Sequence, residues 1–365
     1  MEDIIVNWYG TPSQGQGYSG QSELLAIGLN KVFDVHVLAP SKVIRENLTE
    51  EGKKLIDKPF KLGNVGICFG FPNAFTSIIN KFKIGFTMFE TDKLPSGEVS
   101  NQPNDWCGIT GKASDIINTL NQLWLPSKQN VELFKREGVT IPIKKVGLGF
   151  DKKMYFDMTK ERDLSRKNRP FTFLMLGGLT SRKNPGAVIM SFMNLFAGRK
   201  DVQLILKTHS GTLGHLMFPS NMNIKIIDKY ISVKDMQDLY RNADCFVFPS
   251  RGEGFGLPPL EAMATGLPVI LADNTGMSDY CNEEYNYPIR KHIKVKAMRF
   301  PRRWGNVGNM FDPDYKELRN YMLYIYNHQK EVREKGIKGM NWVHANFTIE
   351  NTVKVMENNI RELFV

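Results

Sequence analysis

Residues 249–266 read Pro249-Ser-Arg-Gly-Glu-Gly-Phe-Gly-Leu-Pro-Pro-Leu-Glu-Ala-Met-Ala-Thr-Gly266, directly after the apolar run Cys245–Phe248. The run predicts a buried strand that delivers the chain to a glycine-rich turn. Gly252, Gly254 and Gly256 let the backbone approach a ligand without Cβ atoms in the way. Pro258 and Pro259 suit the first turn of a helix, where a missing N–H costs nothing. A helix over Leu260–Thr265 would aim free N–H groups back at the turn, a site for negative charge. Glu253 on the loop and Glu261 on the helix can face the same pocket, and carboxylates accept pairs of hydrogen bonds from diols. The stretch therefore predicts a strand–loop–helix site for a ligand both sugar-like and phosphorylated.

With the following Glu261-Ala-Met-Ala-Thr-Gly-Leu-Pro-Val-Ile270, the segment resembles the Glu-x7-Glu motif of retaining glycosyltransferases of family 4 (glycosyl transferases group 1). The resemblance implies that Glu253 contacts the donor sugar and Glu261 the ribose. Gly254, Phe255, Gly256 and Leu257 would line the donor. It also implies a GT-B fold: two Rossmann-like α/β domains facing across a cleft, with the last helix returning to the N-terminal domain.

The pattern around the motif agrees with an α/β chain. Strands are expected at Ile4–Trp8, Asp34–Leu38, Val65–Phe69, Ile84–Phe89, Leu123–Leu125 and Ile143–Gly147. After a polar stretch, they resume at Phe171–Leu176, Val202–Lys207, Ile224–Ile227, Cys245–Phe248 and Val269–Leu271. Helix-period segments such as Ser22–Asn30 and Gln129–Glu137 lie between them, so parallel sheets with right-handed crossovers follow. The charged stretch Asp151–Arg169 reads as the linker, giving domains 1–160 and 161–347. Helices are expected at Pro313–Asn327, Gln329–Asn346 and Ile349–Leu363, the last (about 348–365) rejoining the first domain.

Other segments supply candidate contacts. Gly15-Gln-Gly17-Tyr18-Ser-Gly20 fits GxGxxG, but the second strand ends Val37-Leu-Ala-Pro-Ser-Lys42 without the acid a dinucleotide ribose needs. A flexible glycine loop carrying Gly17 toward donor phosphate and Tyr18 toward the acceptor is the reading kept. Leu176-Gly-Gly-Leu-Thr-Ser-Arg-Lys-Asn-Pro185 places Arg182 and Lys183 at a helix entry capped by Asn184, where cations and free N–H groups would hold a leaving diphosphate. Lys207 ends its strand as a further phosphate candidate. The run Glu90-Thr-Asp-Lys-Leu-Pro95, with Trp106 downstream, resembles a family segment that acts on acceptor or donor sugar. Glu90 is the candidate there, with Asp92 behind it on the acceptor side. The family's histidines near this run and in the Val146–Asp151 element have no counterpart here, since no histidine lies between His36 and His209.

Composition bounds the partners. The 365 residues are 42% hydrophobic and 24% charged, ordinary globular values. No apolar run reaches the ~18–20 residues that span a bilayer, and Met1–Gly10 has acids where a signal peptide has bases. Four scattered cysteines without metal-ligand spacing predict reduced thiols and a cytoplasmic location, including the inner membrane surface. No metal and no cofactor are expected; the nucleotide sugar is a co-substrate. Residues 1–165 carry 20 Lys+Arg against 19 Asp+Glu, whereas 166–365 carry 28 against 19. The excess gathers in Arg290–Arg303, with seven Lys or Arg and no acid. Such a run implies anionic partners.

The expected activity is a retaining, metal-independent transfer of a hexosyl or pentosyl group from a nucleotide-diphosphate sugar. The expected acceptor is a glycan or lipid-linked saccharide. Interleaving of the basic run with Phe300 and Trp304 keeps a DNA glycosyltransferase of the phage kind as the alternative. A catalytically silent sugar-nucleotide binding module is a second one.

Overall fold

The computed structural model describes residues 3–13, 17–95, 112–166, 169–208, 222–298, 300 and 304–365. The chain divides into two compact units: residues 1–149, 299–308 and 347–365 form one, and 150–298 with 309–346 the other.

Unit 1 holds a six-stranded parallel sheet, β1 (Ile5–Tyr9), β2 (Asp34–Leu38), β3 (Val65–Phe69), β4 (Phe82–Phe86), β5 (Gln122–Leu125) and β6 (Ile143–Lys145), in the order β2-β1-β3-β4-β5-β6. All five residues of β3 are buried, as expected for a strand covered on both faces. Helices α1 (Tyr18–Leu29), α2 (Glu50–Ile56), α3 (Ala113–Ile117) and α4 (Lys128–Arg136) make the crossovers. The terminal helix Ile349–Arg361 also belongs to this unit and packs on α1. Small residues make the approach possible. A Cβ on Gly28 would stand 2.5 Å from Val353 Cγ2, and one on Gly149 only 2.4 Å from the Thr348 backbone. Thr352 Oγ1 donates to the Gly147 carbonyl at 2.9 Å, closing the joint.

Unit 2 repeats the plan with β7 (Phe171–Leu176), β8 (Val202–Thr208), β9 (Ile224–Asp228), β10 (Cys245–Phe248), β11 (Val269–Ala272) and β12 (Tyr287–Ile289), ordered β12-β11-β10-β7-β8-β9 and parallel throughout. Its helices are α5 (Thr159–Arg166), α6 (Pro185–Phe196), α7 (Val233–Arg241), α8 (Leu257–Ala264), α9 (Tyr315–Asn327) and α10 (Gln329–Asn346). Phe173, Phe192, Phe196, Val247, Ile270 and Met322 share one buried core between the sheet and its helices. A separate antiparallel ribbon joins β13 (His292–Lys296) to β14 (Asn309–Pro313).

Strand order decides where a ligand can sit. The chain runs outward from β7 through β8 and β9, then returns to β10 on the other side of β7. Open parallel sheets bind ligands at the carboxyl ends of strands flanking such a reversal. In unit 2 these are the loops after β7 and β10, which carry Arg182, Lys183 and Glu253. The corresponding pair in unit 1 is β1 and β3.

Several expectations require correction. Pro313 ends β14, and α9 begins at Tyr315 behind the cap Asp314, whose carboxylate accepts from Glu317 N at 2.7 Å. β4 stops at Phe86, because Phe89 is taken by a side chain: its N–H donates to Asn130 Oδ1 at 2.7 Å, and Asn130 Nδ2 donates to its carbonyl at 3.0 Å. The charged stretch near 151–169 is not all linker. It contains α5, fastened by the buried Arg162, which donates to the carbonyls of Tyr240 (3.1 Å) and Thr265 (3.0 Å). Helix α1 begins at Tyr18, so Gly20 lies inside a helix rather than in a flexible loop.

Candidate active site

The loops after β7 and β10 are fastened to each other. Arg251 N donates to the Arg182 carbonyl at 2.7 Å, and Arg182 Nη1 donates to the Gly252 carbonyl at 2.7 Å. Arg251 Nη1 reaches the Ser181 carbonyl at 2.9 Å, while its other nitrogens grip Asp312 at 2.7 and 3.2 Å. Asp312 also accepts from Asn184 Nδ2 at 3.1 Å, which ties the ribbon to both loops. Asn184 therefore does not act as a side-chain cap. It sits in the left-handed region (φ 61°) and spends its amide on Asp312.

Glu253 is the centre of this arrangement and is buried. Its Oε1 meets Lys183 Nζ at 2.7 Å and Arg182 Nη1 at 3.0 Å, and accepts from Ser250 Oγ at 2.6 Å. Oε2 takes no hydrogen bond from a described residue, so one carboxylate oxygen is left for a ligand donor. Burial pushes the Glu253 carboxyl up, but Arg182 and Lys183, helped by Ser250, overcome it and hold the pKa at about 2. One carboxylate beside two cations leaves net positive charge at the carboxyl ends of β7 and β10. Lys183 Nζ also stands 4.9 Å from the Phe248 ring centroid, which restricts the side chain to this position.

The backbone of the glycine turn is set from below. Glu253 N donates to Thr275 Oγ1 at 2.8 Å, and Gly276 N donates to the Glu253 carbonyl at 2.9 Å. A Cβ on Gly276 would stand 2.1 Å from the Gly254 carbonyl oxygen, so the turn closes only over glycine. Gly256 precedes α8 at φ 92°, its carbonyl accepting from Tyr280 Oη at 2.5 Å. The Phe255 ring packs on Tyr280 at 5.7 Å, below the turn, so its contribution to a ligand is backbone. The expectation for α8 is corrected at its start. It begins at Leu257, and Pro258 with Pro259 falls inside its first turn. Of its first four residues only Leu257 and Leu260 own an N–H, which leaves the cations as the stronger anion-binding element.

Glu261 lies on the same helix with a different environment. It is buried, accepts from Tyr240 Oη at 3.4 Å, and has Tyr155 as a second hydroxyl partner. Burial raises its pKa to about 7, the two tyrosines offsetting only part of the effect. Two acids eight residues apart are thus driven in opposite directions, the pattern expected where carboxylates have separate tasks.

Lys207 is buried at the end of β8, and its Nζ donates to the Thr208 carbonyl at 2.7 Å; burial lowers its pKa. The remaining candidates belong to unit 1. Gly17 is the N-cap of α1 at φ 81°. Tyr18 packs on Phe69 (5.0 Å) and Phe71 (5.9 Å), and its buried hydroxyl has no hydrogen-bond partner. The Tyr18 pKa is raised by burial and by nearby Glu90. Thr87 Oγ1, at the carboxyl end of β4, is likewise buried and unpartnered. Glu90 and Asp92 follow on the loop pinned by Asn130, where Thr91 Oγ1 donates to the Val307 carbonyl at 2.5 Å. Gly15 and Trp106 lie outside the described residues, as do Arg299, Arg302 and Arg303 of the basic run. Among the described residues no three His, Cys, Asp or Glu side chains gather as a metal site.

Sequence reasoning placed Glu253, Arg182 and Lys183 in the site but kept them apart. It missed Ser250, Arg251, Thr275, Tyr155, Tyr240 and Asp312. Ser250 and Arg251 stand inside the quoted stretch, so adjacency was an available signal; the others come from distant positions and left none.

Residues 221–296 match the family model described as glycosyl transferases group 1. The lipopolysaccharide core biosynthesis mannosyltransferase LpsB of Rhizobium meliloti (strain 1021) is 35% identical over 111 residues, 28% of this chain and 31% of that protein. The chain thus spans about a third of that curated relative's length. Among solved structures, sucrose-phosphate synthase of Thermosynechococcus elongatus superposes with a TM-score of 0.70 at 16% identity, covering 99% of each chain. Anabaena Alr3699/HepE, solved in complex with UDP-glucose, also gives 0.70, at 14% identity over 98% of this chain and 100% of its own. At such identities the superpositions establish the fold, which is GT-B.

Proposed function

For this member of the glycosyl transferases group 1 family, we propose transfer of a sugar from a nucleotide-diphosphate sugar to an acceptor hydroxyl with retention at the anomeric carbon. The carrying observation is Glu253 held between Lys183 and Arg182. The mannosyltransferase name of the relative and the UDP-glucose in a structural neighbour support a hexosyl donor.

Each residue then has a task suited to its surroundings. Arg182 and Lys183 stabilise the negative charge that develops on the leaving diphosphate, an effect worth about 2–4 kcal/mol per preorganised donor. Glu253 accepts a sugar hydroxyl on Oε2. With a pKa of about 2 it is a weak base, so the acceptor proton goes to an oxygen of the departing phosphate on the same face of the sugar. Glu261 accepts the ribose hydroxyls, with backbone from Gly254 to Leu257 lining the donor. Two side-chain cations serve the leaving group, and the reaction as proposed requires no metal. In unit 1, Tyr18, Glu90 and Asp92 receive the acceptor, a glycan or lipid-linked saccharide. The unpartnered hydroxyls of Tyr18 and Thr87 support that assignment, because buried polar groups in a native protein ordinarily have partners.

A panel of UDP-, GDP-, ADP- and TDP-sugars, scored by thermal shift, tests the reading. A ligand at one hundred times its dissociation constant adds ~2.7 kcal/mol of stability. One donor should shift wild type and fail to shift Glu261→Ala. No shift with any member of the panel would refute the donor site.

A further inference from the structure

The ribbon of β13 and β14 has two unlike faces. Its register pairs Ile293 with Asp312 and Val295 with Met310 on one side, and His292 with Pro313, Lys294 with Phe311 and Lys296 with Asn309 on the other. The first face is anchored: Met310 is buried, and Asp312 is held by Arg251. The second face is open, and His292, Lys294 and Lys296 are all exposed, as is Lys291 just before them. Same-face residues repeat every ~6.8 Å, so the lysines form a line of charge. Phe311 organises it, with the His292 ring edge-on at 5.3 Å and Lys294 Nζ at 5.9 Å from its centroid.

Nearby carboxylates are engaged elsewhere. Asp273 and Glu283 pair with Arg290, and Glu317 accepts the backbone N–H groups of Arg290 and Lys291. Large apolar side chains flank the cations, with Ile293 67% and Met298 60% exposed. Edge lysines can serve only to prevent strand pairing, but that purpose has no use for exposed Ile293 and Met298. Cations interleaved with exposed aliphatic groups suit an interface that is anionic at its surface and apolar beneath. Bases would instead call for rings to stack on.

We propose that this ribbon docks unit 2 on membranes rich in anionic phospholipid, with Lys291, Lys294 and Lys296 on headgroups and Ile293 and Met298 in the acyl boundary. The proposal does not depend on the glycosyl-transfer reading.

The full chain would be co-sedimented with vesicles of phosphatidylcholine alone and of phosphatidylcholine with 30% phosphatidylglycerol, at 50 and 500 mM salt. Binding is expected only with phosphatidylglycerol and should weaken at high salt. Lysine near an anionic surface is worth about fivefold each, so K291Q/K294Q/K296Q should bind about a hundredfold more weakly. I293S should also bind several-fold more weakly, with the salt dependence kept. An unchanged circular dichroism spectrum checks that each variant folds. Equal sedimentation of wild type and both variants would overturn the proposal. So would tighter binding to single-stranded or duplex DNA than to the anionic vesicles at the same salt, or aggregation of the triple variant with its vesicle binding intact.

Discussion

Replacing Glu253 by Gln removes a charge while keeping size and one acceptor oxygen, so its effect isolates the interaction with Arg182 and Lys183. The carboxyl, ordinarily near 4.5, is held at about 2 in the folded protein. Because the folded-state pKa is depressed, the stabilisation is present above the unfolded value and is lost as pH falls from about 4.5 toward 2. The difference corresponds to about 3 kcal/mol at pH 7, dropping to about 2 kcal/mol at pH 3.5 as the wild-type carboxyl takes up its proton. The three side chains are 8, 24 and 14% exposed, so solvent screening removes little. Urea unfolding of both proteins at the two pH values measures the gap. Glu253→Gln should be the less stable protein at pH 7, and the gap should narrow at pH 3.5. A second readout follows from charge: the variant leaves two cations without their carboxylate, so it should retain the free nucleoside diphosphate while losing the extra affinity for the nucleotide sugar. A gap that is the same at both pH values, or a variant more stable than wild type at pH 7, would refute the electrostatic account.

Glu261 predicts the opposite sign. Its pKa is raised to about 7, so the folded state prefers the proton, and the stabilisation from protonated Glu261 is lost as pH rises from about 4.5 through 7. Glu261→Gln, a mimic of the protonated form, should therefore be more stable than wild type at pH 8 by roughly 1–3 kcal/mol, with little difference at pH 4.5, as followed by urea unfolding. Arg182→Ala should lower kcat/KM by about 10²–10³ in a donor-turnover assay, the loss expected for one preorganised donor. Gly276→Ala places a Cβ 2.1 Å from the Gly254 carbonyl oxygen; it should reduce stability by roughly 1–3 kcal/mol and weaken donor binding measured by calorimetry.

Reading from the chain alone reached furthest where chemistry and local geometry coincide. The segment Pro249–Gly266 carries both acids, the glycines and the helix entry in consecutive positions, so its strand–loop–helix form was legible. Strands such as Val65–Phe69, Phe171–Leu176 and Cys245–Phe248 agree with the structure at both ends, because continuous burial imposes an uninterrupted apolar run. The ends that shifted are those set by a distant partner. Asn130 ends β4 early by taking the backbone of Phe89, and no residue near Phe86 announces that. Arg162 fastens a helix into a stretch that reads as linker, because its two acceptor carbonyls come from Tyr240 and Thr265.

The amino-acid order by itself determined that the chain alternates strand and helix twice over, and that Glu253, Glu261, Arg182 and Lys183 occupy the loops and helices after particular strands. Those properties depend on neighbours a few residues apart. What the two acids are was decided only by tertiary structure. The reversal of strand order sets the β7 and β10 loops side by side, and so brings Lys183 within 2.7 Å of a carboxylate seventy positions away. Burial beside Tyr155 and Tyr240 gives Glu261 the contrary character. An ionisation equilibrium depends on the charges and solvent within a few ångströms, and folding alone chooses those neighbours.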